Sequence, residues 1–142
     1  ALENYENNFT KRNNISMDTN DFDISFARGL SLEDGAATLT AFTAKIISSE
    51  VNALLNDYGK ENIKIIICGG GRKNVSLIKH IKLNSKKNFS FHNSEEFKLN
   101  GDFIESQAFG YIAIRSLLSL PISYPSTTGC SAPCSGGEII TY

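Results

Sequence analysis

A run of three glycines is the part of this sequence best suited to hold a ligand. It consists of Gly69, Gly70 and Gly71. The run follows the apolar stretch "IKIIIC" at 63–68 and precedes Asn74, a good N-cap for a helix. Backbone amides at a helix N-terminus point outward and the helix dipole favours negative charge, so such a turn can hold a phosphate or nucleotide. Glycine also serves tight structural corners, and the glycines alone leave both interpretations open.

The residues around the glycines do not complete a known phosphate-binding motif. Neither G-x-x-x-x-G-K-[ST] nor G-x-G-x-x-G is present. Arg72 and Lys73 are placed to meet a phosphate, although basic residues that flank a loop are usually solvated. At Gly70 we expect a Cβ atom to fill space that a nucleotide needs and to strain any positive φ.

Three further polar residues, one carboxylate and two histidines, are candidates for chemistry. Glu105 lies near Asp102 at the start of an apolar helix pattern. The helix dipole alone explains an acid there, and contact of Glu105 with a substrate is the alternative. His80 and His92 are the only histidines, and both are expected at the surface. No serine lies in a G-x-S-x-G elbow, so a Ser–His catalytic pair is not expected. Neither histidine has a carboxylate or cysteine at a ligand spacing, so we expect no metal site.

Composition excludes several classes of protein. The 142 residues include 14 Lys and Arg against 15 Asp and Glu, for a net charge of −1, and this balance argues against nucleic acid as a partner. No apolar run approaches the roughly 20 residues that span a bilayer, so we expect no membrane association. Three cysteines, at 68, 130 and 134, suit a reducing compartment better than a disulfide framework, and we expect a cytoplasmic protein.

The elements that position these residues alternate between helix and strand. A helix is expected to begin at Ser31, with a capping box to Asp34, and to stop at Gly59. Its apolar stripe comprises Leu39, Phe42, Ile46, Ile47, Val51, Leu54 and Leu55. The stretch 63–68 is predicted to be a central strand covered on both faces. This helix is rich in Ala and Thr, which suggests that a neighbouring element packs closely against it.

After the glycines the pattern continues in the same manner. Asn74 is expected to cap a helix whose apolar face carries Leu77, Ile78 and Ile81. A short strand is expected at 89–92, then a well-buried helix from Asp102, and a loop after Pro121. The fold class is α/β, with helices packed on a central sheet. Only one or two strands are evident, so further sheet from another segment or chain is expected.

Three stretches together resemble the anhydro-N-acetylmuramic acid kinase family. They are "GLSLEDGAATLTAFTA" at 29–44, "CGGGRKN" at 68–74 and "DFIESQAFGYIAIRSLLSLPISYPSTTG" at 102–129. The resemblance runs from about residue 15 to 137 in the family's order and spacing. The segment "ISMDTNDF" at 15–22 departs from the family's P-K-S-x-x-R-x-x-F and lacks its proline, lysine and arginine.

This resemblance implies an RNase H-like half of an actin-like ATPase fold, in which two halves close over ATP. It implies ATP and Mg²⁺ as cofactors and 1,6-anhydro-N-acetylmuramic acid as the substrate, phosphorylated during peptidoglycan recycling. Gly69, Gly70, Gly71 and Asn74 would bind nucleotide, and Glu105 is a candidate for substrate contact. The family's Gly-Thr-x-x-Asp-Gly phosphate loop and catalytic aspartate lie in its N-terminal half and have no match here, so the resemblance implies no catalytic residue in this chain.

The organisation expected on this basis is a C-terminal half. Residues 1–29 would be a lead-in, as the tail of a missing N-terminal half, and residues 30–142 the nucleotide-binding half. Its partner would be that N-terminal half or another copy in a homo-oligomer, and the chain alone would be inactive. The alternatives are a non-catalytic nucleotide-binding module or remnant, and an interaction protein that recruits another chain through an apolar face.

Overall fold

The computed structural model describes residues 20, 22–54 and 62–140. The chain divides into two compact units, of which the first is Ile24–Ile104 and the second includes Glu105 and the residues that follow. The predicted boundary between 1–29 and 30–142 stays a prediction, because most of the lead-in lies outside the described residues. The same holds for the segment 15–22, apart from Asn20 and Phe22, and for the helix stop at Gly59 and the apolar residue Leu55.

The first unit is an α/β arrangement built on a small parallel sheet. Helix α1 (Leu32–Leu54) is followed by strand β1 (Ile63–Ile67), helix α2 (Val75–Asn84) and strand β2 (Phe89–Asn93). The two strands pair in parallel, with Ile63 opposite Phe89 and Ile67 opposite Asn93. Both strands were predicted from the sequence, and the α/β class is confirmed.

Local side-chain caps determine where the two helices begin. Ser31 Oγ accepts a hydrogen bond from the Asp34 amide at 3.1 Å, and Asn74 Oδ1 accepts one from the Leu77 amide at 3.0 Å. Each bond satisfies an amide that has no partner inside the helix. Both predicted helix starts are therefore confirmed.

Small side chains on α1 form the centre of the interface with α2. Ala44 and Ser48 are fully buried on α1, and on α2 the predicted apolar face is confirmed, with Ile81 buried. The two helices pack against each other. Asn52 on α1 donates to the Asn84 carbonyl at 2.9 Å and accepts from the Lys86 amide at 3.1 Å, which ties it to the end of α2. The predicted stripe is wrong at Ile47, which is exposed, because the buried face of α1 carries the smaller residues Ala44 and Ser48.

Strand β1 is less covered than its composition suggested. Lys64 and Ile66 are exposed and alternate with the half-buried Ile63, Ile65 and Ile67, and 45% of Ile66 is accessible. The prediction that β1 is a central strand covered on both faces is wrong for this chain. Within the described residues the sheet has two strands, so β1 has a single neighbouring strand and lies at an edge of the sheet.

The second unit contains α3 (Ile104–Leu117), which begins at the unit boundary, and the one-turn helix α4 (Pro125–Thr128). The prediction that α3 is well buried is wrong, since the described chain leaves none of its residues buried. Phe109, Tyr111, Ile114 and Leu117 are all more than half exposed. An apolar helix is buried only where a packing surface exists, and composition does not show whether this chain supplies one.

The segment after Pro121 has more order than the predicted loop. Pro125 occupies the first turn of α4, Gly129 ends it with φ of 72°, and an isolated antiparallel bridge joins Ser123 to Cys134. Arg115 on α3 donates to the Pro121 carbonyl at 2.7 Å. None of the helices in the described ranges is long and apolar enough to cross a membrane.

Candidate functional site

The glycine turn leaves β1 through an unusual backbone conformation at its first residue. Gly69 has φ of 78° and ψ of 173°, a combination that is essentially restricted to glycine. Its amide donates to the Gly101 carbonyl at 2.9 Å, which fixes the turn to a distant segment. The positive φ expected at Gly70 therefore lies one residue earlier.

The next two glycines form an open corner. Gly70 begins a single 3₁₀ turn that runs to Lys73. A Cβ atom added to Gly70 would meet nothing within 4 Å, and one added to Gly71 would make only an ordinary contact with Leu77. Packing among the described residues therefore does not require glycine at either position, and the backbone at Gly70 is exposed and open to a ligand.

Asn74 closes the turn and starts α2. Its amide donates to the Gly71 carbonyl at 3.0 Å while its side chain caps the helix. Its observed role is structural. The helix N-terminus behind the glycines supplies the positive end of a dipole, which is the feature that an anionic ligand would use.

Arg72 is the residue that connects the turn to the rest of the unit. Only 9% of its side chain is exposed. Its Nε and Nη2 atoms donate to Glu95 Oε1 at 3.0 and 2.6 Å, and Nη1 donates to Asp102 Oδ1 at 2.7 Å. Nη1 also donates to the Gly69 carbonyl at 2.9 Å. The expectation that Arg72 is solvated is wrong, because two carboxylates from distant segments enclose its guanidinium.

Lys73 is placed differently. Its Nζ atom lies 2.8 Å from Asp102 Oδ1, and 63% of its side chain is exposed. Arg72, Lys73, Glu95 and Asp102 carry two positive and two negative charges, so the cluster is neutral as a whole. Lys73 is therefore accessible to an anionic ligand at the turn, whereas the two carboxylates already balance the charge of Arg72.

The ion pairs shift the pKa values of Asp102, Glu95 and Arg72. Hydrogen bonds from Arg72 and then Lys73 lower the pKa of Asp102 from 3.8 to about 2. A hydrogen bond from Arg72 likewise lowers the pKa of Glu95, and the two carboxylates raise the pKa of Arg72. All of these groups are charged at neutral pH, so the cluster is an electrostatic support and none of its carboxylates is suited to act as a general acid.

Gly101 lies directly under the guanidinium. A Cβ atom added there would lie 2.6 Å from Arg72 Nε and 2.6 Å from Ser94 Oγ. Because real Cβ atoms do not approach other atoms so closely, a larger residue at this position would displace the arginine head group. The Gly101 amide in turn donates to Glu95 Oε1 at 3.3 Å.

Three other residues were singled out in the sequence, namely Glu105, His80 and His92. Glu105 is exposed in the first turn of α3 and belongs to the second unit, and its role in substrate contact stays a prediction. His92 was expected at the surface but is half-buried. Its Nδ1 atom lies 2.8 Å from Glu96 Oε2. His80 is also half-buried. No group of three metal-ligating side chains occurs within the described ranges.

Sequence reasoning missed Glu95 and Gly101 and treated Asp102 only as an acid near a helix start. The one local signal was the Asn-Gly pair at 100–101, which marks a turn. Nothing in the sequence pairs Arg72 with carboxylates 23 and 30 residues away.

The chain is similar to known proteins along most of its length. The family model of anhydro-N-acetylmuramic acid kinase matches residues 13–142. The chain is 44% identical over 140 residues to the anhydro-N-acetylmuramic acid kinase of Pelagibacter ubique, covering 99% of this chain and 37% of that protein. It is 43% identical over 124 residues to the kinase of the same name from Zymomonas mobilis, covering 87% of this chain and 32% of that protein. The chain therefore spans about a third of the length of these relatives.

Proposed function

Because this chain belongs to the anhydro-N-acetylmuramic acid kinase family, we propose that it is the C-terminal, nucleotide-binding part of such a kinase. The reaction of the whole enzyme would be the ATP-dependent cleavage and phosphorylation of 1,6-anhydro-N-acetylmuramic acid to N-acetylmuramic acid 6-phosphate, a step in recycling peptidoglycan. The proposal assigns this chain the binding of the nucleotide and leaves the phosphoryl transfer to the segment that the relatives have in addition.

The observation that carries the proposal is the open glycine corner in front of a capped helix. The accessible backbone at Gly70 and Gly71 lets a flat or polar ligand approach closely, and Asn74 holds the helix N-terminus behind it. We propose that the adenosine part of ATP lies along Gly69, Gly70 and Gly71. Lys73 is the accessible cation beside the turn and supports binding of the anionic part.

The remaining parts of the mechanism are assigned to other segments. Phosphoryl transfer depends on positioning and on charge stabilisation by phosphate-binding groups and Mg²⁺. No group of three metal-ligating side chains lies among the described residues, and the proposal leaves the ligands of Mg²⁺ unassigned. We propose an RNase H-like fold, completed by an N-terminal half or a second copy, with Glu105 as a candidate substrate contact. The cysteines Cys68, Cys130 and Cys134 are free, which supports a cytoplasmic location.

Nucleotide binding is tested by titrating the ¹⁵N-labelled chain with ATP and following the backbone amides. We expect weak binding, at millimolar ATP, with the largest shifts at Gly69, Gly70 and Gly71, because the phosphates would lack their main partners. Gly70→Val should abolish these shifts, since its side chain would enter the open space, whereas the exposed Lys86→Ala should leave them unchanged.

Two results would contradict this assignment. If the wild-type chain shows no shift at the glycines with millimolar ATP, the chain is not a nucleotide-binding part, and a role as an interaction module is favoured. If Gly70→Val remains folded by circular dichroism and binds ATP like the wild type, the glycine turn is only a structural corner.

A further inference from the structure

We propose that Arg72 is the positioning residue of the glycine turn, and that its guanidinium holds Gly69 in the conformation that presents Gly70 to a nucleotide. This inference rests on the proposed function, because it concerns the same site. It assigns Arg72 a role opposite to the usual one of a basic residue near a phosphate site, since its charge is directed into the protein.

The hydrogen bonds of Arg72 show how the turn is held. All three guanidinium nitrogens donate to acceptors, which are Glu95, Asp102 and the Gly69 carbonyl. Bonds between ionised partners are about twice as strong as neutral ones, and the planar guanidinium imposes a fixed geometry on its acceptors. The bond to Gly69 therefore transmits the position of the carboxylates to the one glycine whose backbone is unusual.

The two carboxylate acceptors belong to segments that are far from the turn in sequence. Glu95 lies in the 3₁₀ turn Ser94–Phe97 after β2, and Asp102 lies before α3. The carboxylates remain about half exposed, whereas Arg72 is nearly buried between them. Arg72 thus joins the ends of β1 and β2 at the edge of the sheet where the glycines lie.

Gly101 contributes to the same arrangement of Arg72 and the glycine turn. Its amide donates to Glu95 and its carbonyl accepts from Gly69, so its backbone is bonded on both sides of the arginine. Its missing side chain leaves the space that the guanidinium occupies. Two different substitutions, one that removes the head group and one that expels it, should therefore have the same effect on the turn.

The test compares Arg72→Gln, Arg72→Lys and Gly101→Ala with Phe42→Leu. Phe42 is buried on α1. Phe42→Leu should lower stability without touching the turn, so it is the control for destabilisation alone. Each variant of the ¹⁵N-labelled chain is first shown to be folded by circular dichroism and its melting temperature is recorded. The amide shifts of Gly69 and Gly70 and the dissociation constant for ATP are then measured at a temperature where every variant is folded.

We expect Arg72→Gln and Gly101→Ala to move the Gly69 and Gly70 resonances in the same direction and to weaken ATP binding. The expected loss is about 10-fold, the lower end of what losing a supporting hydrogen-bond partner costs at metal sites. Arg72→Lys should also weaken ATP binding, because one ammonium cannot reach both carboxylates and the Gly69 carbonyl. Phe42→Leu should lower the melting temperature and leave the glycine shifts and the ATP affinity unchanged.

The outcomes separate this inference from the proposed function. If the wild-type chain binds ATP and folded Arg72→Gln binds it equally well with unmoved glycine resonances, Arg72 does not position the turn. If ATP affinity follows the melting temperature in all four variants, the effect is general destabilisation and the inference is overturned. If the wild-type chain does not bind ATP, the proposed function fails, and the glycine shifts alone still decide whether Arg72 holds the turn.

Discussion

At the scale of single residues, the three glycines have different reasons to be glycine. Gly69 needs its backbone freedom, because its φ of 78° and ψ of 173° are strained for any other residue. Gly70 has neither a positive φ nor a neighbour within 4 Å of an added Cβ atom. The folding of this chain therefore constrains Gly69, whereas a constraint on Gly70 would come from a ligand.

This difference predicts that Gly69→Ala and Gly70→Ala affect stability unequally. Gly69→Ala should reduce the free energy of unfolding by about 1–3 kcal/mol, because the penalty is backbone strain and not a clash. Gly70→Ala should stay within about 0.5 kcal/mol of the wild type. Urea unfolding followed by circular dichroism measures both. Equal effects of the two substitutions would show that the conformation at Gly69 is not the decisive feature.

A second residue-scale prediction concerns Asp102 and pH. Its folded-state pKa of about 2 lies below the ordinary value of 3.8, so its ion pair stabilises the folded chain above about pH 3.8. That contribution is lost as the pH falls towards 2. Asp102→Asn should therefore be less stable than the wild type at pH 7, and the difference should shrink between pH 3.8 and 2.

Urea unfolding at several pH values measures this difference directly. A gap between wild type and Asp102→Asn that is constant from pH 7 to pH 2 would contradict an ion-pair contribution of Asp102. A gap that widens on acidification would contradict the direction of the pKa shift itself.

At the scale of elements, the close packing of α1 on α2 depends on small residues. Ala44 and Ser48 lie four residues apart on one face of α1, and both are fully buried. Small side chains let two helix backbones approach closely, and protein interiors leave little space for added atoms. The large apolar residue Ile47 lies outside this contact and is exposed.

We therefore expect Ala44→Leu to destabilise the first unit by about 1–3 kcal/mol, through overpacking of the helix interface. Ser49→Leu is the matched control, because it adds a leucine to an exposed position of the same helix, and it should change stability by less than about 0.5 kcal/mol. Thermal unfolding of both variants tests the prediction. Equal stability of the two would show that the interface tolerates a large side chain.

At the scale of the whole molecule, the chain has two compact units and a large amount of exposed apolar surface. Strand β1 exposes Ile66, and α3 exposes several aromatic and aliphatic side chains, including Phe109 and Leu117. The family relatives are about three times as long as the matched region. The proposed division of labour, with nucleotide binding in this chain and phosphate handling in the remainder, belongs to this scale.

This division predicts that the chain alone does not phosphorylate 1,6-anhydro-N-acetylmuramic acid in the presence of ATP and Mg²⁺. Phosphoryl transfer requires phosphate-binding groups and a base that the proposal places in the remaining segment. Adding the corresponding preceding segment of the Pelagibacter ubique relative should give activity, measured by the appearance of the sugar phosphate. Sustained turnover by the chain alone would overturn the proposal that it is only a part of the enzyme.

Local features were accessible from the sequence because they depend on residues within about four positions of one another. Ser31 and Asn74 cap their helices through bonds to amides three residues ahead, as the side-chain types predicted. The strands at 63–67 and 89–93 followed from short apolar patterns between turn signals. The three family motifs were likewise readable in order, and the family match over residues 13–142 confirms that resemblance.

The tertiary structure alone decided which side chains meet and which remain exposed. Arg72 and Lys73 have similar sequence surroundings, yet one is buried between Glu95 and Asp102 and the other is largely exposed. The same applies to α3, whose apolar composition predicted burial that the described chain does not supply. Pairing across 23 or 30 residues depends on how the strands bring their ends together, and burial depends on whether a packing surface exists. A local sequence pattern shows neither the pairing of distant residues nor the presence of a packing surface, since both are properties of the folded chain.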